Sequence, residues 1–256
     1  MSAFLITHSL LSSWLYSLKE NPYSDATTED TSKEDFLRVL RREPTPTTEA
    51  MQNGLEFEAL VTEICNFNEP VQTSLIGTPP TLESLLPDAI RSNPWFEPAF
   101  KIAGYARGGQ LQCTASKRVT LRGIDLLLYG RLDVLRAGHI FDIKFSKTYD
   151  RGKYIDSTQH PMYLELVPSA LDFSYLISNG TDVWTETYRR DETPSIYPIV
   201  NDFLLWLENT GLMPIYQQFW GARPEGAKAT KPEDSAKGDP AGLYPRPADA
   251  RTGASL

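Results

Sequence analysis

Gly130-Arg131-Leu132-Asp133-Val134, a turn at Ala137-Gly138, and then Phe141-Asp142-Ile143-Lys144-Phe145 form the stretch on which the fold is decided. Two alternating runs joined by Ala-Gly read as antiparallel strands with a two-residue hairpin loop. In that register Arg136 faces His139, Asp133 faces Asp142 and Arg131 faces Lys144. Successive side chains point to opposite faces of a strand. Asp133, Asp142 and Lys144 are therefore expected on one face, lining a cleft, and Leu132, Val134, Phe141, Ile143 and Phe145 on the other, in the core. Directly opposed Cβ atoms lie about 4.5–5.5 Å apart, where like charges destabilise a sheet, so two facing aspartates need a compensating charge. A hard divalent cation such as Mg²⁺ or Mn²⁺ supplies it, and such ions reach phosphate oxygens. A surface hairpin with solvated aspartates, one neutralised by the lysine, explains the same residues, and a bulge would break the register.

Gly130-x-x-Asp133 followed by Asp142-Ile143-Lys144 resembles the signature of the PD-(D/E)XK nuclease superfamily. Downstream, Gln159-His160-Pro161-Met162-Tyr163 is similar to the Q-x-x-x-Y element of the RecB-type branch. Upstream, Gly54-Leu55-Glu56-Phe57-Glu58 resembles the G-x-x-x-E helix of the exonuclease members, including phage exonucleases. The resemblance spans residues 49–190 with the elements in matching order. It departs at Leu132, where the name of the motif has proline.

Glu58 and Glu56 separate by helix geometry. In a helix over residues 49–66, with about 100° per residue, Met51, Leu55, Phe57, Val61, Ile64 and Cys65 form one broad apolar side. Glu58 falls in its middle and Glu56 nearly opposite. A carboxylate in an apolar face is costly unless paired or metal-bound, which makes Glu58 the third candidate ligand; a buried ion pair with Lys or Arg is the other explanation.

The 256 residues, 41% of them hydrophobic, can bury one elaborated domain. We place it at residues 1–220, with a mobile insertion at 21–48 and a disordered tail at 221–256 that is rich in Gly, Ala, Pro, Lys and Asp. No apolar run reaches the roughly 18 residues of a membrane span, and a soluble, cytoplasmic protein of bacterial or phage origin is expected. Cys65 and Cys113 support neither a disulfide framework nor zinc, and two cysteines cannot build the four-cysteine iron–sulfur cluster that some nucleases of this branch carry. A net charge of −8 argues against a protein that coats nucleic acid. Residues 117–153 nevertheless hold nine Lys or Arg against four Asp, a basic stretch expected around the site.

The pattern of apolar residues and breakers predicts helices at 7–20, 33–42, 49–66, 81–92, 95–103, 157–167, 196–209 and 212–220. Strands are predicted at 108–121, at the two motif segments, and at 173–178 and 182–189, the last pair joined at Asn179-Gly180. The fold class is α/β (α+β), with a restriction-endonuclease-like αβββαβ core: a mixed central sheet flanked by helices.

The resemblance implies a Mg²⁺- or Mn²⁺-dependent deoxyribonuclease. Glu58, Asp133, Asp142 and the carbonyl of Ile143 would hold one or two ions, and Lys144 would complete the catalytic set. Gln159 and Tyr163, four apart on one helix face, would line the cleft and contact the substrate backbone or orient the lysine. From the residues themselves, Lys147, Tyr149 and Lys153 on the loop after the lysine strand are candidates to hold phosphates or stack a base, with a plain polar loop as the alternative, and Arg131 is a further candidate for substrate contact. The resemblance favours an exonuclease acting on DNA ends in recombination, repair or phage replication, with a recombination or helicase protein as partner. An endonuclease, or a catalytically weak DNA-end or protein-binding module on the same fold, is the alternative. No G-x-S-x-G or comparable nucleophile motif supports a small-molecule hydrolase.

Overall fold

The computed structural model describes residues 3–19, 32–67 and 81–222. The tail beyond 222 and residues 21–31 of the expected insertion lie outside the described residues. The strands are β1 (Phe4–Ile6), β2 (Gln110–Leu121), β3 (Ile124–Arg136), β4 (His139–Phe145), β5 (Asp172–Ser178) and β6 (Val183–Arg189). The helices are α1 (His8–Leu18), α2 (Ser32–Leu40), α3 (Glu49–Asn66), α4 (Leu82–Leu85), α5 (Asp88–Arg91), α6 (Phe96–Ala106), α7 (Gln159–Leu166), α8 (Tyr197–Asn209) and α9 (Met213–Phe219).

Local chemistry accounts for the boundaries. The Thr7 and Thr48 hydroxyls accept hydrogen bonds from the N–H groups of Leu10 and Met51, capping α1 and α3. Ala137 and Gly138 have φ of 48° and 83°, as do Arg122 and Gly123 at 52° and 74°, the left-handed pairs that a two-residue hairpin requires. The expected helix over 81–92 is instead two single turns, α4 and α5, broken at Pro87, which has no N–H to continue a helix. β1 was not foreseen; three residues directly before a helix cap are too few to show an alternating pattern.

The six strands form one mixed sheet in which α3, β2, β3, β4, α7 and β5 follow the αβββαβ succession. β4 and β5 are parallel, linked by α7, and β5 and β6 are antiparallel. β2 pairs with β3 over nearly all of β3. β3 has only one other edge, so β1 and β4 must share it. β1 pairs in parallel with Leu126–Leu128, and β4 pairs only with Val134–Arg136. Between them, residues 129–133 of β3 have no strand on that edge among the described residues, and the sheet opens there like a fork.

Helices cover both faces. Leu10, Leu11 and Trp14 of α1, Met162 and Tyr163 of α7, and Phe203 and Leu207 of α8 form one core with Leu126, Leu128, Leu132 and Tyr175 of the sheet. Phe57, Val61 and Ile64 of α3 and Ala99 and Ile102 of α6 form the other, with Val134, Ile143 and Leu176. This corrects the expectation that Leu132 and Val134 share a core. Gln112, which stands opposite Asp133 in the β2–β3 register, has φ of 52°, and the Gln112–Asp133 pair drops out of the ladder. A residue forced into the left-handed region adds local twist, as at a bulge, and β3 turns its side chains over at that point.

Candidate functional site

The fork in the sheet is the floor of a cavity of about 460 Å³. Tyr129, Gly130, Arg131 and Asp133 line it from β3, and Asp142, Ile143 and Lys144 from β4. Thr7, His8 and Ser9 close it at the start of α1, Met51, Gly54, Leu55 and Glu58 along α3, and Gln159 and Tyr163 from α7. Glu58, Asp133, Asp142, Ile143, Lys144, Gln159, Tyr163 and Arg131, scattered over a hundred positions of sequence, thus meet in one place.

The register predicted for the hairpin holds at the turn, with Arg136 opposite His139 and Val134 opposite Phe141, and then ends. Asp133 and Asp142 are not a ladder pair, nor are Arg131 and Lys144. The strands splay, and groups from elsewhere satisfy the freed backbone: Oδ2 of Asp133 accepts the N–H of Ile143 at 2.9 Å, and the Tyr163 hydroxyl donates to the carbonyl of Arg131 at 2.9 Å. Gly130 makes the second bond feasible. A Cβ there would lie 2.5 Å from Cε1 of Tyr163, inside the ring's van der Waals surface.

Asp142 is 2% exposed. Its Oδ1 accepts a hydrogen bond from the amide of Gln159. Its Oδ2 touches the Lys144 ammonium at 2.6 Å and has no other partner among the described residues. Glu58 accepts a hydrogen bond from the amide of Gln112, the residue whose left-handed backbone kinks β2. Glu56, as expected from helix geometry, is exposed and bonded to Gln52.

The acidic groups feel one another. Burial, then the charges of Asp142 and Glu58, push the Asp133 carboxyl well above the usual carboxylate range. Burial and Asp142 raise Glu58 as well, against the opposing pull of Gln112, Arg131 and Lys144. For Lys144 burial alone would lower the pKa, but Asp142 and Asp133 outweigh it and keep the ammonium charged. Tyr163 is raised by burial and by the same two aspartates, and remains a neutral donor.

His8 also lines the cavity, a residue to which the sequence assigned no role. It stands in the first turn of α1, its ring edge-on to Tyr163 at 5.4 Å, and burial and then Lys144 lower it to about 3, which leaves a neutral imidazole facing the cavity. The available signal was its place immediately after a capping threonine, which fixes it at the helix entrance.

Lys147, Tyr149 and Lys153 lie on the segment 146–158, outside the cavity lining. Lys147 is an exposed partner of Glu49 at 3.9 Å, Tyr149 donates to Glu186 at 2.7 Å, and Lys153 donates to Ser146 and to the carbonyl of Thr148. Nor does the basic stretch gather round the site. Of its nine members only Arg131 and Lys144 line the cavity, while Lys117 pairs with Glu165, Arg122 with Glu208, and Arg136 donates to the last carbonyls of α6.

Among the described residues no group of three or more His, Cys, Asp or Glu side chains stands ready to hold a metal ion. The donor set still suits a hard cation in kind. It contains three interacting carboxylates, two of them driven toward protonation, and one buried carboxylate oxygen that lies against a cationic side chain. Lys144 occupies the position of positive charge beside Asp142.

No family model and no curated protein matches the chain. Among solved structures it is similar to a "Putative exonuclease" from Eubacterium rectale, at 14% identity with a TM-score of 0.44, over 89% of this chain and 86% of that one. It is also similar to SSO0001, at 15% identity with a TM-score of 0.35, over 71% of this chain and 86% of the other. At that distance a likeness assigns neither an activity nor a substrate to this chain. No helix among the described residues is long and apolar enough to cross a membrane.

Proposed function

We propose that the protein is a Mg²⁺- or Mn²⁺-dependent deoxyribonuclease that hydrolyses phosphodiester bonds, an exonuclease acting on DNA ends in recombination, repair or phage replication. The observation that carries this reading is the convergence of Glu58, Asp133, Asp142 and Lys144 on one cavity at a fork in a mixed sheet. Glu58, Asp133, Asp142 and the carbonyl of Ile143 would hold the ion or ions. Bound there, a divalent cation lowers the pKa of a water molecule and offsets negative charge on the phosphate.

In the reaction a water oxygen bonds to phosphorus, the bond from phosphorus to the leaving sugar oxygen breaks, and that oxygen takes up a proton. Lys144, kept protonated by Asp142 and Asp133, presents a compact positive charge to the phosphate as its charge builds. Gln159 fixes one oxygen of Asp142 and leaves the other to Lys144. Tyr163 holds the unpaired edge of β3 through the carbonyl of Arg131. Arg131, in the cavity wall, would meet the substrate backbone. A recombination or helicase protein that delivers DNA ends is the partner that this reading suggests.

A catalytically weak DNA-end or protein-binding module is the second reading. What favours it is that Gln112 and Lys144 occupy Glu58 and Asp142 and that the carboxylates do not form a ready three-ligand set. Digestion of end-labelled linear and closed circular DNA, single- and double-stranded, with Mn²⁺, Mg²⁺ or EDTA decides between the two. Metal-dependent loss of linear DNA that Lys144→Ala abolishes is the expected result, with circles surviving if the enzyme needs an end. If circles are cut, the enzyme is an endonuclease. If folded protein with metal cleaves nothing, the binding module takes its place.

A further inference from the structure

Among the described residues, Arg42, Gln112, Arg122 and Ala137 are the non-glycine residues with a left-handed backbone. Three of them sit where the chain must stop or reverse. Arg42 ends α2, where its neighbour Glu43 donates back to the carbonyl of Arg38, and Arg122 and Ala137 open two-residue hairpin loops. Gln112, with φ of 52°, lies within β2, where no turn requires that backbone. Glycine adopts it without steric cost, and asparagine, aspartate and histidine are the side chains most often found there. A strained backbone persists only where its surroundings fix it, and such residues gather at functional sites. The reason for a glutamine therefore has to lie in its side chain.

From Gln110 to Thr120 the even-numbered residues of β2 are exposed except Gln112, which is half-buried. Its amide reaches across to α3 and donates to Oε1 of Glu58. Glu58 lines the cavity, whereas Gln112 stands behind it, outside the lining. Asp142 is held in a comparable way, with Oδ1 bonded to the amide of Gln159. A neutral amide ties one oxygen of a carboxylate without cancelling its charge, and carboxylates that ligate metals are themselves characteristically hydrogen-bonded. Resting on the nuclease reading above, we propose that Gln112 is a positioning residue for metal binding, whose left-handed backbone sends its amide to Glu58, fixes that carboxylate by Oε1 and leaves Oε2 to take the divalent ion. A glutamate on three rotatable bonds is thereby ordered before the ion arrives, which removes part of the entropic cost of binding.

The test is Mn²⁺ binding, read from the paramagnetic resonance of the free ion with no DNA present, alongside thermal melting. Gln112→Gly should melt within about 4 °C of the wild type, because glycine takes this backbone freely. It should nevertheless bind Mn²⁺ about 10–100-fold more weakly, the usual loss when the hydrogen-bond partner of a ligand is removed. Gln112→Asn suits the left-handed region but carries its amide one methylene short, so it too should bind weakly, and it carries the test if glycine loosens the strand. In a Glu58→Ala background, Gln112→Gly should leave the remaining Mn²⁺ affinity unchanged within about twofold, because the two residues act as one unit. Gln110→Gly is the control: it is exposed on the same strand and outside the cavity lining, and should bind as the wild type does. Wild-type affinity in Gln112→Gly and Gln112→Asn, or an equal loss in the Glu58→Ala background, would overturn the positioning role. A wild type that binds no Mn²⁺ would overturn it together with the metal-dependent reading. A protein that binds Mn²⁺ through Glu58 and Gln112 but cleaves no DNA sinks only the nuclease. One that cleaves with metal, and equally well as Gln112→Gly, sinks only the role of Gln112.

Discussion

The amide of Gln159, at the start of α7, donates to Oδ1 of Asp142 in the middle of β4, and both residues are almost completely buried. This bond ties the crossover helix to the strand that carries the candidate ligand. Removing the donor while leaving the acceptor buried costs about 1–3 kcal/mol. Gln159→Leu should therefore lower the unfolding free energy by that much, seen as a lower urea midpoint with no change in the slope of the transition. In an Asp142→Asn background the same substitution should cost less, because the two residues are coupled. Additive losses in the double variant would show that the bond does not bear on stability.

Gly130 and Tyr163 make a second pair. A methyl group at position 130 would sit inside the tyrosine ring, which could then no longer reach the carbonyl of Arg131. Gly130→Ala is expected to destabilise the protein by about 1–3 kcal/mol, the usual cost of overpacking. Part of that loss should disappear when Tyr163 is Leu, since the clash goes with the ring. A Gly130→Ala protein as stable as wild type would mean that α7 can shift away from the strand at little cost.

These contacts mark the limit of what the sequence could disclose. The helix over 49–66, the hairpin turn at Ala137-Gly138 and the inward aim of Glu58 were legible because each follows from a local period or a local φ requirement. The mixed sheet flanked by helices followed from the order of such elements. The splaying of β3 from β4 was not legible. It depends on the backbone of Gln112, on a neighbouring strand, and on a tyrosine supplied by a helix some thirty residues downstream. The place of His8 in the cavity was not legible for a similar reason, because nothing near it in sequence shows that β1 and α1 would be drawn against β3 beside the fork. That Lys147, Tyr149 and Lys153 follow the lysine strand on a loop was legible, but the anchoring of that loop at Glu186, outside the cavity lining, was not.

His160 offers a test of pH dependence away from the carboxylates. Its ring stacks on Tyr188 at 3.9 Å and is 2% exposed, and burial lowers it from 6.5 to about 4, with Glu186 opposing. A group whose folded-state pKa lies below its unfolded value adds stability above the unfolded pKa. That stability is lost as pH falls through the folded one. The loss should run from about pH 6.5 to about pH 4 and reach roughly 3 kcal/mol at most. His160→Phe should flatten this part of the stability–pH curve, measured by urea unfolding at pH 7 and pH 5. An equal slope in the variant would place the titrating group elsewhere.

Glu186 on β6 anchors the segment after the lysine strand. Its carboxylate accepts from the Tyr149 hydroxyl at 2.7 Å, from the Tyr188 hydroxyl, and from the N–H groups of Gly152 and Tyr154 at 3.2 and 3.3 Å. Those bonds draw its pKa below the usual range despite burial, so it is charged at neutral pH. Hydrogen bonds to a charged acceptor contribute about 1.5–3 kcal/mol each and are not additive. Glu186→Ala should therefore release residues 146–158 more than it destabilises the whole fold, because none of the fully buried core residues lies in that segment, which reaches one core only through the partly buried Tyr149 and Tyr154. Arg151 and Lys153 are exposed within it and are trypsin sites. Under native conditions the variant should be cut there about tenfold faster or more, given that 1.4 kcal/mol of local opening free energy corresponds to a factor of about ten. Glu186→Gln, which keeps an acceptor but loses the charge, should fall between. Cutting at the wild-type rate in Glu186→Ala would mean that packing of Tyr149 on Trp184 and of Tyr154 on Tyr175, at 5.3 and 4.3 Å, holds the segment without the carboxylate.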